Sequence, residues 1–181
     1  MLVLTAGMPS SGKTTFAKEL LKAIGSKVAH LDPKENLPDD YESLSSDNQS
    51  LYNISAWEVC FEKAIELLGS KSNESAIIFD SAAAKFLTIL PLLKKAKSRN
   101  HNILYVFMNA KKDDRLSWST DFSKNIIEKL DKSYIIDFKV TLPAIEKSVD
   151  KLMIINNGKD NNAIKHGVIQ ALNIIKGITN G

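Results

Sequence analysis

Residues 7–14 have the types and the spacing of a loop that binds phosphate groups. They read Gly-Met-Pro-Ser-Ser-Gly-Lys-Thr and match the pattern G-x-x-x-x-G-K-[ST] at every fixed position. Glycine lets the backbone fold tightly and turn its N–H groups toward an anion, and the lysine adds a positive charge. We call this segment the phosphate loop. It predicts binding of a nucleoside triphosphate, ATP, together with Mg²⁺.

The backbone, the lysine and the hydroxyl groups of the phosphate loop have different predicted roles in binding ATP and Mg²⁺. We expect Lys13 to reach the β- and γ-phosphates and the Thr14 hydroxyl to bind magnesium. The following helix begins here, so its positive end faces the same anion. The nucleotide-binding residues predicted from the pattern are Gly7, Pro9, Ser10, Ser11, Gly12, Lys13, Thr14 and Thr15.

A second candidate, Asp80, stands at the end of the apolar run 77–79. In proteins with this kind of phosphate loop, an aspartate at such a strand end holds magnesium, directly or through water. The alternative is an ordinary aspartate that begins a turn or caps the next helix. We favour the magnesium role because the run lies at a suitable distance from the phosphate loop.

Short β-rich runs alternate with helical segments along the chain. The apolar patterns predict strands at 2–6, 27–31, 75–79, 103–108 and 151–155. They predict helices at 13–24, 52–68, 83–97 and 163–175, a polar loop at 32–50 and a polar, partly helical stretch at 111–137. This alternation is typical of an α/β protein whose parallel sheet is covered by helices on both faces.

Length and composition indicate one domain, residues 1–181, because 181 residues are too few for two ordinary domains. The hydrophobic content of 44% and the charged content of 25% are typical of globular proteins. The net charge of +3 permits a phosphate-rich partner without demanding one. The single cysteine precludes an intrachain disulfide, and no apolar run reaches membrane-spanning length, so we expect a cytoplasmic protein with no membrane partner.

Three features together resemble the small P-loop kinases: the loop G-x-P-x-S-G-K-T-T, a short strand that ends in Asp32, and the run I-I-F-D. The chain looks most like the branch containing polynucleotide 5′-hydroxyl kinases, zeta-type toxins and phage kinases acting on 5-hydroxymethyluracil in DNA. The resemblance implies a P-loop NTPase fold, a three-layer α/β/α sandwich with five parallel strands and a short lid at about 111–137. It also implies that the strand carrying the second aspartate lies beside the strand of the phosphate loop.

The resemblance implies roles for residues at matching positions. Asp32 would be the general base, Arg115 would contact phosphates from the lid, and Lys13 would complete the catalytic set. Thr14 and Asp80 would be the metal residues. Plainer alternatives are a turn-initiating role for Asp32 and a solvated helical position for Arg115. Polynucleotide kinases tend to carry several lid arginines, whereas this lid has one, beside the lysines Lys111, Lys112 and Lys124.

These features predict an ATP-dependent phosphotransferase that moves the γ-phosphate to a hydroxyl group. The first candidate acceptor is DNA or RNA, at a 5′-hydroxyl or a hydroxymethylated base. The alternatives are a small metabolite, a nucleoside or a nucleotide-sugar as acceptor, and a nucleotide-binding module without turnover. A GTPase is disfavoured because Asp80 does not begin a D-x-x-G element. Tyr52, Asn53 and Trp57 could contact a base, but the spacing of Trp57 favours a core position.

Overall fold

A five-stranded parallel sheet forms the centre of the molecule. The computed structural model describes residues 1–25, 27–70, 76–80, 86–160 and 162–179. Its strands follow the order β2-β3-β1-β4-β5, and each neighbouring pair is parallel. The strands are β1 (Leu2–Gly7), β2 (Val28–Leu31), β3 (Ala76–Phe79), β4 (Ile103–Ala110) and β5 (Lys151–Asn157). The predicted sheet is confirmed, including the position of β3 beside β1.

Helices cover both faces of this sheet, as the alternating pattern predicts. They are α1 (Lys13–Ile24), α2 (Ser46–Gly69), α3 (Phe86–Ser98), α4 (Lys112–Ser117), α5 (Asp121–Glu146) and α6 (Asn162–Thr179). One apolar cluster joins the sheet to α1 and α6, and a second joins the opposite face to α2, α3 and α5. The three-layer sandwich is therefore confirmed. Position 75 of the predicted third strand and positions 83–85 of the predicted helix lie outside the described residues.

Side chains alternate between these two clusters along each buried strand. In β1, Leu2 and Leu4 belong to the cluster under α2 and α3, whereas Val3 belongs to the cluster under α1 and α6. In β3, Ile78 shares the α1 face with Val3. Since successive residues of a strand point to opposite faces, this alternation fixes the face on which the residues at the strand ends lie.

The predicted loop at 32–50 is partly wrong, because helix α2 begins at Ser46. Ser45 caps this helix, since its side chain accepts a hydrogen bond from Asn48 N at 3.4 Å. The Gln49 side chain also donates to three backbone carbonyls of the preceding 3₁₀ turn. These local polar bonds start the helix before its apolar stripe begins, so apolar periodicity alone places the start too late.

The stretch predicted as a lid, 111–137, contains α4 and the first part of α5. Helix α5 continues to Glu146, and Phe138 and Ile145 on its second half are buried in the core. The ring of Phe138 packs on that of Phe107, with 4.7 Å between the centroids. The second half of α5 is therefore part of the sandwich. Among the described residues, none of the helices combines the length and the apolar character needed to span a membrane.

Candidate active site

The candidate residues meet where three neighbouring strands end. Leu4 and Leu31 are both in register with Phe79, so Thr5, Asp32 and Asp80 occupy the next positions of β1, β2 and β3. The carboxyl ends of parallel strands form the edge at which open α/β sheets bind ligands. The phosphate loop connects β1 to α1 at the same edge. The fold thus brings together residues that are about 75 positions apart in sequence, as Thr5 and Asp80 are.

Two positions of the phosphate loop require glycine. Gly7 has φ 146°, and a Cβ atom there would lie 2.0 Å from the carbonyl oxygen of Met108 on β4. Gly12 has φ 96°, and a Cβ atom there would lie 2.9 Å from the amide nitrogen of Asn157 on β5. At both positions glycine allows the backbone to adopt a positive φ and to pass close to a neighbouring strand.

Several side chains donate hydrogen bonds to the backbone carbonyl groups of the phosphate loop. Lys13 Nζ donates to the carbonyl oxygens of Met8 at 2.9 Å and Gly7 at 3.3 Å. Three further donors come from distant parts of the chain and bond to Pro9 O, Ser10 O and Ser11 O in turn. Arg115 Nη1 donates to Pro9 O at 3.4 Å, Trp118 Nε1 to Ser10 O at 2.6 Å and Asn157 Nδ2 to Ser11 O at 3.3 Å.

These outward-facing carbonyls determine where the N–H groups of the loop point. In a trans peptide the C=O and N–H groups lie on opposite sides. With Pro9 O turned toward Arg115 and Ser11 O toward Asn157, the N–H groups of Ser10 and Gly12 face away from these donors. The first N–H groups of α1 also have no intrahelical partner. The backbone of the loop therefore has a geometry that suits an anion.

Lys13 provides the positive charge at this concavity. It is partly buried, and burial lowers its pKa to about 8. The nearby Asp80 carboxylate opposes this shift, whereas the positive charges of Lys34 and Arg115 add to it. The candidate residues Lys13, Asp80 and Arg115 therefore lie within electrostatic range of one another. Phosphate groups would restore the favourable surroundings of the ammonium group, so anion binding and protonation of Lys13 reinforce each other.

Asp80 is fully buried, and the hydroxyl of Thr5 holds one of its two carboxylate oxygens. Thr5 Oγ1 donates to Asp80 Oδ1 at 2.7 Å, and both residues are 0% exposed. Asp80 Oδ2 has no hydrogen-bond partner among the described residues, and neither has the buried Ser11 Oγ. A buried carboxylate oxygen without a partner is unfavourable, so Oδ2 is suited to bind a cation.

The residues at this edge fit a magnesium ion that is bound mainly through a nucleotide. In the part of the chain that the structure describes, no three His, Cys, Asp or Glu side chains gather into a metal cluster. Mg²⁺ commonly takes one or two carboxylates plus phosphate oxygens and water. Asp80 is such a carboxylate, and Thr14 adds a hydroxyl in the first turn of α1. The oxygen donors at hand are therefore of the right kind for this ion.

Asp32 lies at the end of β2 and is only 4% exposed. It caps the 3₁₀ turn Pro33–Asn36, since its Oδ1 accepts a hydrogen bond from Lys34 N at 3.0 Å. Burial raises the pKa of Asp32, and the negative charge of Asp80 raises it further; the Lys34 backbone N–H is the main opposing influence. The turn-initiating role considered for Asp32 is thus present in the structure. Its role as general base stays a prediction.

Arg115 lies beside the phosphate loop, but it is buried rather than solvated, with 2% exposure. Its Nε donates to Ala110 O at 3.1 Å, and its Nη2 forms a salt bridge with Asp131 on α5. Together with the bond to Pro9 O, these contacts tie α4, α5 and the phosphate loop to one guanidinium group. The solvated alternative for Arg115 is therefore wrong. Direct contact with a phosphate remains a prediction.

The three residues that could contact a base of the acceptor lie in three different environments. Trp57 packs against Phe61 and Phe79, with centroid distances of 4.9 and 5.6 Å, which confirms its core position. Asn53 donates a hydrogen bond to the hydroxyl of Tyr41. Tyr52 is 46% exposed and points away from the core. Neither Tyr52 nor Asn53 belongs to the set of strand-end residues that surrounds the phosphate loop.

The sequence patterns miss several side chains that shape this site: Thr5, Trp118, Asp131 and Asn157. Thr5 gives the clearest signal, because it is the one polar side chain in the otherwise apolar run 2–6. A polar residue in a strand buried on both faces needs a partner, which makes it worth attention. The other three belong to polar or mixed segments, where nothing in the local pattern distinguishes them.

Comparison with known proteins identifies kinases of similar fold. A candidate kinase from Chloroflexus aurantiacus has a TM-score of 0.65 at 13% identity, over 97% of this chain and 96% of that chain. Shikimate kinase from Acinetobacter baumannii, in complex with shikimate, has a TM-score of 0.60 at 16% identity, over 97% and 93%. The protein APE1195 has a TM-score of 0.58 at 17% identity, over 98% and 96%. Neither a protein-family model nor a curated protein matches the sequence.

These likenesses show that the chain shares its α/β fold with structures that include shikimate kinase. They extend over nearly the whole length of both partners, so the sandwich and its helices are shared. At 13–17% identity they show the fold alone. The chemistry must therefore be argued from the residues at the phosphate loop and the strand ends.

Proposed function

We propose that the protein is an ATP-dependent kinase that transfers the γ-phosphate to a hydroxyl group. One observation carries this proposal: a phosphate loop already held in shape lies next to two buried carboxylates in different surroundings. The Asp80 carboxylate has one oxygen bound to Thr5 and one without a partner in the described chain. The Asp32 carboxylate lies one strand further out and has a raised pKa. Two carboxylates with different environments suit two different tasks.

The proposed division of labour follows from these environments. Lys13 and the N–H groups of the phosphate loop bind the β- and γ-phosphates. Asp80 and Thr14 would hold Mg²⁺, which would neutralise charge on the phosphates when it is bound. Asp32 accepts the proton of the acceptor hydroxyl as its oxygen forms the new bond to phosphorus and the bond to ADP breaks. The raised pKa of Asp32 makes it a better proton acceptor than an exposed carboxylate.

A hydroxyl on a nucleic acid is our first candidate for the acceptor. The resemblance to polynucleotide kinases and to phage kinases acting on DNA supports it, as does the net charge of +3. Lys34, Lys111 and Lys112 are exposed on segments that directly follow β2 and β4. Exposed lysines at this edge would attract a polyanion without selecting a sequence.

A small hydroxyl compound is the second candidate, and one kinase of similar fold provides the support for it. The similar shikimate kinase binds shikimate, a small molecule rather than a polymer. The two candidates differ in size and charge, which makes them easy to separate by experiment.

The decisive experiment is transfer of labelled γ-phosphate from ATP to a panel of acceptors. The panel contains oligonucleotides with free 5′-hydroxyls, DNA containing hydroxymethyluracil, nucleosides, nucleotide-sugars and small hydroxy acids. We expect label in one acceptor class and in no other. Label that remains in ATP with every acceptor, although ATP binds, would support a binding module without turnover instead.

Lys13→Ala supplies the matched control for this assay. It removes the positive charge of the phosphate loop, and Lys13 is not part of either apolar cluster. We therefore expect the variant to fold and to lose most of the rise in melting temperature that ATP produces. An ATP-induced rise equal to that of the wild type would contradict the assignment of the phosphate loop.

A further inference from the structure

A single polar side chain interrupts the buried strand β1. All six residues of β1 are buried, and Thr5 alone among them has a side chain that forms strong hydrogen bonds. A hydroxyl in such a place is unfavourable unless it is bonded. Thr5 Oγ1 bonds to Asp80 Oδ1 at 2.7 Å, and no atom of either residue is exposed to solvent. The placement of this hydroxyl therefore concerns Asp80.

The register of the sheet aims this pair at the phosphate loop. Val3 and Ile78 are in register, and both belong to the cluster that packs under α1. Thr5 and Asp80 come two residues later, so they lie on the same face of the sheet. This is the face from which α1 begins, with Lys13 in its first turn. Asp80 and Lys13 interact electrostatically at this edge of the sheet.

We propose that Thr5 is a positioning residue for the divalent cation that accompanies the nucleotide. It binds one oxygen of Asp80 and thereby directs the other oxygen, which has no partner in the described residues, toward the cation. This inference rests on the proposed function, because it takes Asp80 as a magnesium residue. It adds a residue that would never touch the metal or the nucleotide itself.

Two bonds fix Asp80, one through its backbone and one through its carboxylate. Its backbone N–H donates to Leu31 O at 2.9 Å, which ties the end of β3 to β2. The Thr5 hydroxyl then fixes the rotation of the side chain. A hydrogen bond to a carboxylate is stronger than one between neutral groups, so this bond resists reorientation. A carboxylate held in this way loses little freedom when a cation binds.

Replacement of Thr5 by valine tests this role because valine has nearly the same shape but no donor. ATP affinity is measured by calorimetry with excess Mg²⁺ and again with EDTA, and the ratio of the two affinities is the contribution of the cation. We expect Thr5→Val to reduce this ratio by about 10-fold or more, the usual effect of losing a residue that orients a metal ligand. The affinity in EDTA should stay unchanged. Thr5→Ser, which keeps the hydroxyl, should restore the ratio.

Thr141→Val is the matched control, because Thr141 is also buried but lies on α5. It should leave the ratio at the wild-type value. If Thr5→Val does not fold, Thr5→Cys keeps a weak donor and should give an intermediate ratio. A folded Thr5→Val or Thr5→Cys protein with the wild-type ratio would overturn the inference.

The Asp80→Asn variant separates failure of this inference from failure of the proposed function. If Asp80→Asn keeps the wild-type ratio, Asp80 does not serve the cation, and both ideas are wrong. If the ratio of affinities falls in Asp80→Asn but stays at the wild-type value in Thr5→Val, only the role of Thr5 is wrong. If Thr5 acts through Asp80, Thr5→Val should have no further effect on the ratio in the Asp80→Asn background.

Discussion

The two sides of the candidate site are held together by bonds of very different sequence range. On the nucleotide side, Arg115, Trp118 and Asn157 donate to loop carbonyls that lie 106, 108 and 146 positions away. On the proposed acceptor side, which we define as residues 32–60, three side-chain hydrogen bonds are local. Lys34 N to Asp32, Gln49 to Tyr41, and Asn36 to Cys60 span 2, 8 and 24 positions.

This difference shows which half of the site the fold determines. The phosphate loop is fixed by α4, β5 and their neighbours, so altering it disturbs contacts throughout the sandwich. The acceptor side is fixed mainly by its own short-range bonds and by one helix. Such a segment can change its surface without disturbing the sheet, which is why one fold serves many acceptors. The comparison predicts that changes on the acceptor side affect transfer but leave ATP binding intact.

The largest effect should come from Asp32→Asn. Asparagine can still accept the bond from Lys34 N through its amide oxygen, so the 3₁₀ turn should persist. It cannot accept a proton from the acceptor hydroxyl, so transfer should fall by roughly 10²–10⁴-fold, the usual range for loss of a general base. ATP affinity should stay within about twofold of the wild type, because Asp32 lies outside the phosphate loop.

Asp39→Asn is the control for this prediction, since Asp39 is an exposed carboxylate on the same segment. It should transfer phosphate at the wild-type rate. The measurements are transfer rate at saturating Mg²⁺ and ATP affinity by titration. Wild-type transfer by Asp32→Asn would place the base elsewhere and remove the contrast between the two carboxylates.

The second effect in size concerns Arg115, which lies on the nucleotide side of the site. Its guanidinium bonds to Ala110 O, Pro9 O and Asp131, and lysine cannot reproduce that fork. If Arg115 also contacts the transferred phosphate, Arg115→Lys should lower kcat on the order of 10³-fold at saturating ATP. If it only supports the loop, KM for ATP and melting temperature should change while kcat is retained. We expect the loss in kcat.

Arg99→Lys gives the matched control, because Arg99 is the other arginine of the chain and is exposed. It should behave as the wild type in kcat, KM and melting temperature. An Arg115→Lys protein with unchanged kcat would assign the phosphate contact to the lysines of the same segment. The buried salt bridge to Asp131 would then be the whole role of Arg115.

The comparison also explains how much could be predicted from the sequence. The phosphate loop is contiguous, so its eight residues can be recognised together, and the alternation of strands and helices predicts the sheet around it. The support of the loop is not contiguous: Trp118 and Asn157 meet it only after folding. The same holds for the pairing of Arg115 with Asp131 across two helices. Local patterns describe what a segment can do, whereas these contacts depend on which segments become neighbours.

The start of α2 shows another limit of prediction from apolar patterns, because the residues that determine it are close in sequence but polar. Ser45 and Gln49 begin the helix through side-chain bonds to the backbone. The apolar stripe used to predict the helix starts several residues later. Patterns of apolar residues describe the face that packs on the sheet, and they say little about a solvated first turn. The proposed acceptor side consists largely of solvated polar segments. The phosphate acceptor is therefore harder to predict from the sequence than the nucleotide.

The smallest effect that we predict is a pH dependence confined to the nucleotide side. Burial lowers the pKa of Lys13 to about 8 in the free protein. Bound phosphates favour the charged ammonium group, so the pKa in the complex is higher. Below about pH 8 Lys13 is already protonated and ATP affinity is constant; above it, binding must take up a proton and affinity falls by up to about tenfold per pH unit. Calorimetry in buffers of different ionisation enthalpy measures this proton uptake directly. Lys13→Arg stays charged over the whole range, so its affinity should show no such slope. A wild-type affinity that stays flat well above pH 8, with no proton taken up, would contradict this prediction.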